Sequence, residues 1–220
     1  MWTDYGFKVK NDPLRHLSHW NNLLERWCAC FERFYNYSGT VPALNKEETH
    51  VGILSGAAWD LGLVGFQEMR RNRIGRASFE ECCDLYVCDS TGIFDDYVEC
   101  KKERLRDNYV IIASLMAKAC HQAGTLILDD APEKARRIGV VFVDFEFSSM
   151  LDLNIDLNIQ SKLDCIATTE YDAMAWSFPK AMRNYRDENP VTGSGIILPG
   201  TVLLAKFIGN KTIIKDGPIA

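Results

Sequence analysis

With 220 residues, of which 47% are hydrophobic and 25% charged, the chain is long enough to bury a full core and fits a single domain over 1–220. The net charge of −5 argues against a protein that coats nucleic acid nonspecifically, because such proteins are usually basic. No stretch approaches the roughly 18–20 uncharged apolar residues of a membrane span. The N-terminus also lacks the apolar segment of a signal peptide. We therefore expect a cytoplasmic protein that does not act on a membrane.

The first half of the chain contains two helical patterns followed by strand-like runs. Apolar residues at steps of three and four predict an N-terminal helix over 13–37, and a second helix rich in small residues follows over 45–61. A short strand is predicted over 65–70. Two longer strand-like runs cover 77–89 and 97–101, and the polar segment between them suits a hairpin turn.

The second half of the chain is less regular. A helix is predicted over 104–122, and the apolar, β-rich run over 138–147 predicts a buried strand. Helix and loop are expected over 148–189, and a terminal strand pair or bulged strand over 195–208. This order of elements predicts an α/β fold with a mixed central sheet flanked by helices.

The eight cysteines predict reduced thiols rather than disulfides or a zinc site. A chain of this length without an export signal is not expected to depend on disulfides. The sequence contains no C-x-x-C pair, and the C-x-C pair of Cys28 and Cys30 has no second pair at zinc-ligand spacing.

Three charged residues on the two hairpin strands carry the strongest chemical signal. Side chains alternate between the faces of a strand, so Glu99 and Lys101 share one face, whereas Val98 and Cys100 point into the core. If the two runs pair as a hairpin, Asp84 lies beside Glu99. Two carboxylates and an ammonium group would then converge on one part of the sheet.

This arrangement suits a hard divalent cation. Carboxylate oxygens are preferred by Mg²⁺ or Mn²⁺, and such ions need only one or two carboxylates from the protein. Asp84 and Glu99 are the predicted metal ligands, and the backbone carbonyl of Cys100 is a further candidate. Lys101 could orient a water molecule or stabilise the charge of a phosphodiester transition state.

The motif D-L-Y-V followed by Y-V-E-C-K resembles the core of the PD-(D/E)XK nuclease superfamily, which includes many restriction endonucleases and repair nucleases. The resemblance implies that Asp84 and Glu99 bind the metal and that Lys101 assists the attacking water. The sequence departs from the family pattern at Cys83, because the family motif has a proline before its aspartate.

The resemblance also implies a restriction-endonuclease-like core. Its α-β-β-β-α-β order covers about 45–145, with the helix over 13–37 added before it and an extension of unassigned role over 148–220. Members of the superfamily often add a glutamate from the helix that precedes the sheet. Glu47 aligns with the apolar stripe of the second helix and is preferred, whereas Glu48 lies about 100° away and is the alternative.

The function implied by this resemblance is metal-dependent hydrolysis of nucleic acid by a nuclease. DNA is the expected polymer, by analogy with the superfamily alone. Many such nucleases act as homodimers, and a role as a subunit of a larger complex is also open. Five basic residues flank the motif and are expected to contact a phosphate backbone, unless they are ordinary surface charge: Arg70, Arg71, Arg73, Arg76 and Lys102.

Three other interpretations of the motif remain open. Glu99 and Lys101 could belong to a solvated strand face, with a cross-strand ion pair to Asp84. The chain could have the nuclease fold without turnover and serve as a binding or scaffold subunit of a defence or repair complex. An unrelated α/β protein could also carry the motif by coincidence.

Overall fold

A computed structural model describes seven ranges of the chain: 4–10, 18–71, 81–126, 135–148, 154–183, 185–188 and 195–208. The helices of these ranges are α1 (Ser18–Ser38), α2 (Glu47–Asp60), α3 (Val110–Gly124) and α4 (Ile155–Ile166), with a 3-10 helix at Pro42–Leu44. The strands are β1 (Tyr5–Val9), β2 (Val64–Arg71), β3 (Glu81–Cys88), β4 (Asp95–Leu105), β5 (Ala135–Phe145), β6 (Phe147–Ser148), β7 (Ala173–Ser177), β8 (Arg186–Glu188), β9 (Gly195–Ile197) and β10 (Thr201–Ile208).

Seven of the described strands form one mixed sheet in the order β1-β7-β10-β5-β4-β3-β2. β4 and β5 are parallel, and the other neighbours in this sheet are antiparallel. A second, three-stranded sheet of the described residues has the order β6-β9-β8. The predicted α/β fold with a mixed central sheet and flanking helices is confirmed.

Strand β5 lies in the centre of the sheet and is covered on both faces. Ile138 and Phe142 join an apolar cluster with residues of α1 and α2. Val141 and Val143 point the other way and join a second cluster with residues of α3 and α4. Burial on both faces explains why residues 138–143 of this strand are continuously apolar in sequence instead of alternating.

Three elements differ from the sequence predictions. The helix predicted over 104–122 begins only at Val110, because β4 continues as far as Leu105 and pairs there with Phe145 of β5. The segment predicted as helix and loop over 148–189 contains α4, but it also contains β7, a strand of the central sheet. The edge strand β1 was not predicted. Residues 13–17, 77–80, 149–153, 184 and 189 of the predicted elements lie outside the described ranges.

The structure also bears on the cysteines and on membrane-spanning helices. All eight cysteines are free thiols, as expected for reduced cysteines. Among the helices of the described ranges, none combines the length and the apolar character needed to cross a bilayer.

The close approach of α3 to β5 depends on a glycine. A Cβ atom at Gly139 would lie 2.8 Å from the backbone nitrogen of Cys120, which is too short for two non-bonded atoms. Gly139 is also the residue of β5 that pairs with Glu99 of β4. The helix therefore packs directly against the backbone of the strand beside the predicted motif.

We expect Gly139→Ala to lower the free energy of unfolding by about 1–3 kcal/mol, because the new methyl group must push α3 away from the sheet. Gly56→Ala is the matched control. A Cβ at Gly56 meets no atom within 4 Å, and alanine is favoured over glycine inside a helix by about 1 kcal/mol. Urea denaturation of both variants measures the difference. Equal stability of the two variants would contradict the close packing of α3 on β5.

Candidate metal centre

The predicted motif residues lie where strands β3 and β4 separate. Backbone pairing of the two strands extends as far as Leu85 and Val98. At the next position, the carboxylate of Asp84 reaches across to β4, and its Oδ2 accepts a hydrogen bond of 2.6 Å from the backbone N–H of Cys100. β4 continues through Lys101 beside β5. A carboxylate thus lies in the gap that opens between the two strands.

The ammonium group of Lys101 contacts three oxygen-bearing groups at this gap. Its Nζ lies 3.7 Å from Oε1 of Glu47 and 3.9 Å from Oδ2 of Asp84. The same ammonium donates a hydrogen bond to the backbone carbonyl of Cys100. The Lys101 side chain is 16% exposed, and the two carboxylate side chains are each 31% exposed. The group is therefore partly accessible from solvent.

Glu47 reaches this group because it is the first residue of α2. A carboxylate in the first turn of a helix is favourable, since the helix dipole places partial positive charge there. Val51 and Leu54 of the same helix are buried against the sheet, and this packing holds the start of α2 over β4. Glu48 is exposed. Of the two candidate glutamates, Glu47 is therefore the one whose carboxylate approaches Lys101.

Burial and the neighbouring charges raise the pKa of Glu47. Burial makes the largest contribution, the carboxylates of Asp84 and Glu48 raise the pKa further, and the ammonium of Lys101 lowers it. Two carboxylates this close repel each other and favour any additional positive charge between them. The raised pKa of Glu47 is therefore the result of partial burial beside a second carboxylate, and Lys101 offsets part of it.

Cys100 contributes its backbone to the site and not its thiol. The thiol is fully buried, and burial together with the carboxylates of Asp84, Glu47 and Glu99 raises its pKa well above the ordinary value. A neutral, buried thiol is a poor metal ligand and a poor nucleophile. The carbonyl oxygen, which already accepts from Lys101, is the chemically useful atom of this residue.

Glu99 lies on the same face of β4 as Lys101 but is much less accessible than the other acidic residues. Only 2% of Glu99 is exposed, and its backbone pairs with Gly139 of β5. The interpretation of this face as a solvated strand surface therefore does not fit the position of Glu99. Its role as a metal ligand stays a prediction.

The basic residues predicted to contact nucleic acid belong, where the structure describes them, to two different strands. Arg70 and Arg71 belong to β2, where their backbones pair with β3, and Arg73 and Arg76 lie outside the described residues. The ammonium of Lys102 lies 3.2 Å from Asp144 and donates to two backbone carbonyls near the start of α2. A contact of Lys102 with nucleic acid stays a prediction, and the structure gives this ammonium several internal partners.

A buried polar network next to the site was missed by sequence reasoning. Asp144 of β5 is fully buried and contacts His50, Lys102 and Thr201. One sequence signal was available, namely a single aspartate inside the otherwise apolar run FVDF. Such a carboxylate needs buried partners, but the sequence did not indicate which residues supply them.

The donor atoms of the site suit a hard divalent cation. Glu47 and Asp84 offer carboxylate oxygens and Cys100 offers a carbonyl oxygen around the position of the Lys101 ammonium. Within the described residues, no three His, Cys, Asp or Glu side chains converge closely enough to hold a metal ion. Two carboxylates and a carbonyl are the ligand types that Mg²⁺ and Mn²⁺ prefer, and a metal ion at this position stays a prediction.

Comparison with protein-family models, curated proteins and solved structures gives no match for this chain. The sequence motif and the geometry of the site are therefore the features from which a function is inferred.

The pKa of Glu47 should respond in opposite directions to two substitutions. Lys101→Met should raise it, because the ammonium lowers the pKa of Glu47 in the native protein. Asp84→Asn should lower it, because the Asp84 carboxylate raises the pKa of Glu47. Carbon-13 NMR titration of the glutamate carboxyl groups measures both changes. Lys180→Met is the control, since Lys180 is 80% exposed and pairs with Asp4. An unchanged pKa of Glu47 in both site variants would show that the three groups are not neighbours.

Proposed function

We propose that this protein is a metal-dependent nuclease that hydrolyses phosphodiester bonds of nucleic acid at a PD-(D/E)XK-type site. The observation that carries the proposal is the approach of Glu47, Asp84 and the Cys100 carbonyl to the ammonium of Lys101. DNA is the proposed substrate by analogy with the superfamily.

The order of elements supports this proposal. α2, β2, β3, β4, α3 and β5 follow one another in the chain, and their four strands are neighbours in the sheet in the order β5-β4-β3-β2. The first three strands are antiparallel, and β5 is parallel to β4. This order agrees with the α-β-β-β-α-β order that the resemblance implies, and the candidate site lies where the second and third of these strands separate.

The residues of the site have separate roles in the proposed reaction. A bound Mg²⁺ or Mn²⁺ would supply a more acidic water molecule and neutralise charge on the phosphodiester. Asp84 uses Oδ2 for its contacts with Cys100 and Lys101, so Oδ1 is the oxygen that we expect to bind the ion. Glu47 would offer a carboxylate oxygen to the ion, and its raised pKa suits it to accept a hydrogen bond from the attacking water. Lys101 donates one hydrogen bond to the carbonyl of Cys100, and the further N–H donors of its ammonium are suited to orient the attacking water or to stabilise charge on a phosphate oxygen.

A nuclease-fold binding or scaffold subunit without turnover is the second candidate. The near-complete burial of Glu99, at 2% exposure, favours it, because an active metal site would be expected to use this carboxylate. Such a protein would bind nucleic acid or a partner protein without cleaving a phosphodiester bond.

Two substitutions at the site should separate metal binding from cleavage. Asp84→Ala should abolish both, because it removes a carboxylate ligand. Lys101→Met should reduce cleavage of a DNA substrate at least about 100-fold, because the group that assists the water is lost. The same variant should bind Mn²⁺ about tenfold more tightly, because an ammonium no longer competes for the two carboxylates. Calorimetry with Mn²⁺ and a cleavage assay measure the two properties.

Lys180→Met is again the control and should leave both properties unchanged. Full cleavage activity in Lys101→Met would contradict the proposed function. Mn²⁺ binding that depends on Asp84 in a protein that never cleaves DNA or RNA would instead favour the scaffold subunit.

A further inference from the structure

The carboxylate of Asp144 joins three elements around the start of α2. Its Oδ2 lies 3.2 Å from Nε2 of His50 on α2 and 3.2 Å from Nζ of Lys102 on β4. Its Oδ1 accepts a hydrogen bond from the hydroxyl of Thr201 on β10. All of Asp144 is buried. Burial raises its pKa, but His50, Lys102 and Thr201 outweigh this effect and hold the pKa below its ordinary value.

Asp144 and its partners contact the chain both before and after Glu47. Lys102 donates hydrogen bonds to the backbone carbonyls of Ala43, at 2.9 Å, and of Asn45, in the segment that leads into α2. His50 lies three residues after Glu47, close to one helical turn further along, and contacts the same carboxylate of Asp144. The backbone before Glu47 and the helix after it are thereby tied to one buried anion.

The start of α2 has no ordinary capping interaction to fix it. Its N-cap residue, Lys46, makes no side-chain hydrogen bond to the helix, although such a cap normally satisfies one of the free N–H groups. Arg104 provides an additional tie, since its Nε donates to the carbonyl of Ala43 at 3.1 Å. Lys102 and Arg104 therefore anchor the segment that leads into α2 through its carbonyl groups, whereas a cap would act on the N–H groups of the first turn.

We propose that Asp144 is a positioning residue for the metal site, which acts through Lys102 and His50 to hold the Glu47 carboxylate beside Lys101. This inference depends on the proposed function. Asp144 itself cannot touch a substrate, because it is fully buried. Outer partners that orient metal ligands typically change metal affinity or activity when they are removed.

Asp144→Asn and Lys102→Met test the inference. Each removes one charge and keeps a side chain of similar volume. Both should weaken Mn²⁺ binding by calorimetry about 10–100-fold. They should also lower kcat for cleavage while the KM for nucleic acid stays constant. If Asp144→Asn does not fold, Lys102→Met and Thr201→Val, which remove single partners of Asp144, supply the same comparison.

Asp96→Asn is the matched control. Asp96 is also a fully buried carboxylate near the start of β4, but its donors Trp20 and Arg136 belong to α1 and β5 and not to α2. This variant should lose stability to a similar extent and bind Mn²⁺ with wild-type affinity. Loss of affinity in Asp96→Asn as well would overturn the inference, because general destabilisation would then explain the effect.

Three further outcomes would be decisive. Wild-type Mn²⁺ affinity and kcat in a folded Lys102→Met protein would overturn the positioning role and leave the proposed function intact. A raised KM with unchanged kcat and Mn²⁺ affinity would also overturn it, and would show that Lys102 contacts nucleic acid directly. Absence of Asp84-dependent Mn²⁺ binding and of cleavage in the wild type would overturn both proposals together.

Discussion

A charge that leaves water must be met by opposite charge or by hydrogen bonds, and this constraint shapes the region around β4. Asp96 near the start of the strand is fully buried and accepts hydrogen bonds from Trp20 and Arg136. Beyond its middle, Lys102 meets the equally buried Asp144. Removing one partner of a buried pair typically costs about 3–5 kcal/mol. The surrounding helices and strands are therefore held in register with β4 by its charged side chains as well as by its apolar ones.

Local patterns were sufficient to predict the elements that carry the site. The alternation in Y-V-E-C-K separates Glu99 and Lys101 from Cys100, and the apolar stripe of α2 selects Glu47 over Glu48 as the glutamate that faces the sheet. Both patterns repeat over a few residues, so they can be read without knowledge of the fold. The structure adds the distances that join Glu47, Asp84 and Lys101.

The features that escaped prediction depend on contacts between distant parts of the chain. Nothing near Asp84 shows that β3 and β4 separate beyond Leu85 and Val98, because the separation depends on pairing with other strands. The partners of Asp144 come from α2, β4 and β10, which no local pattern connects. β7 was missed for a similar reason. Its five residues are all buried and contain no alternation from which a strand could be recognised.

The position of β10 has a consequence for how the protein is made. This strand comes last among the described elements of the chain, yet it lies inside the sheet between β5 and β7 and pairs with both. During synthesis on the ribosome, β5 and β7 cannot pair with β10 until residue 208 has been added. Until then, β5 and β7 each have an edge with unpaired backbone N–H and C=O groups and apolar side chains. Such exposed strand edges promote aggregation. Chaperone protection during synthesis would therefore matter most for the interval between β7 and β10.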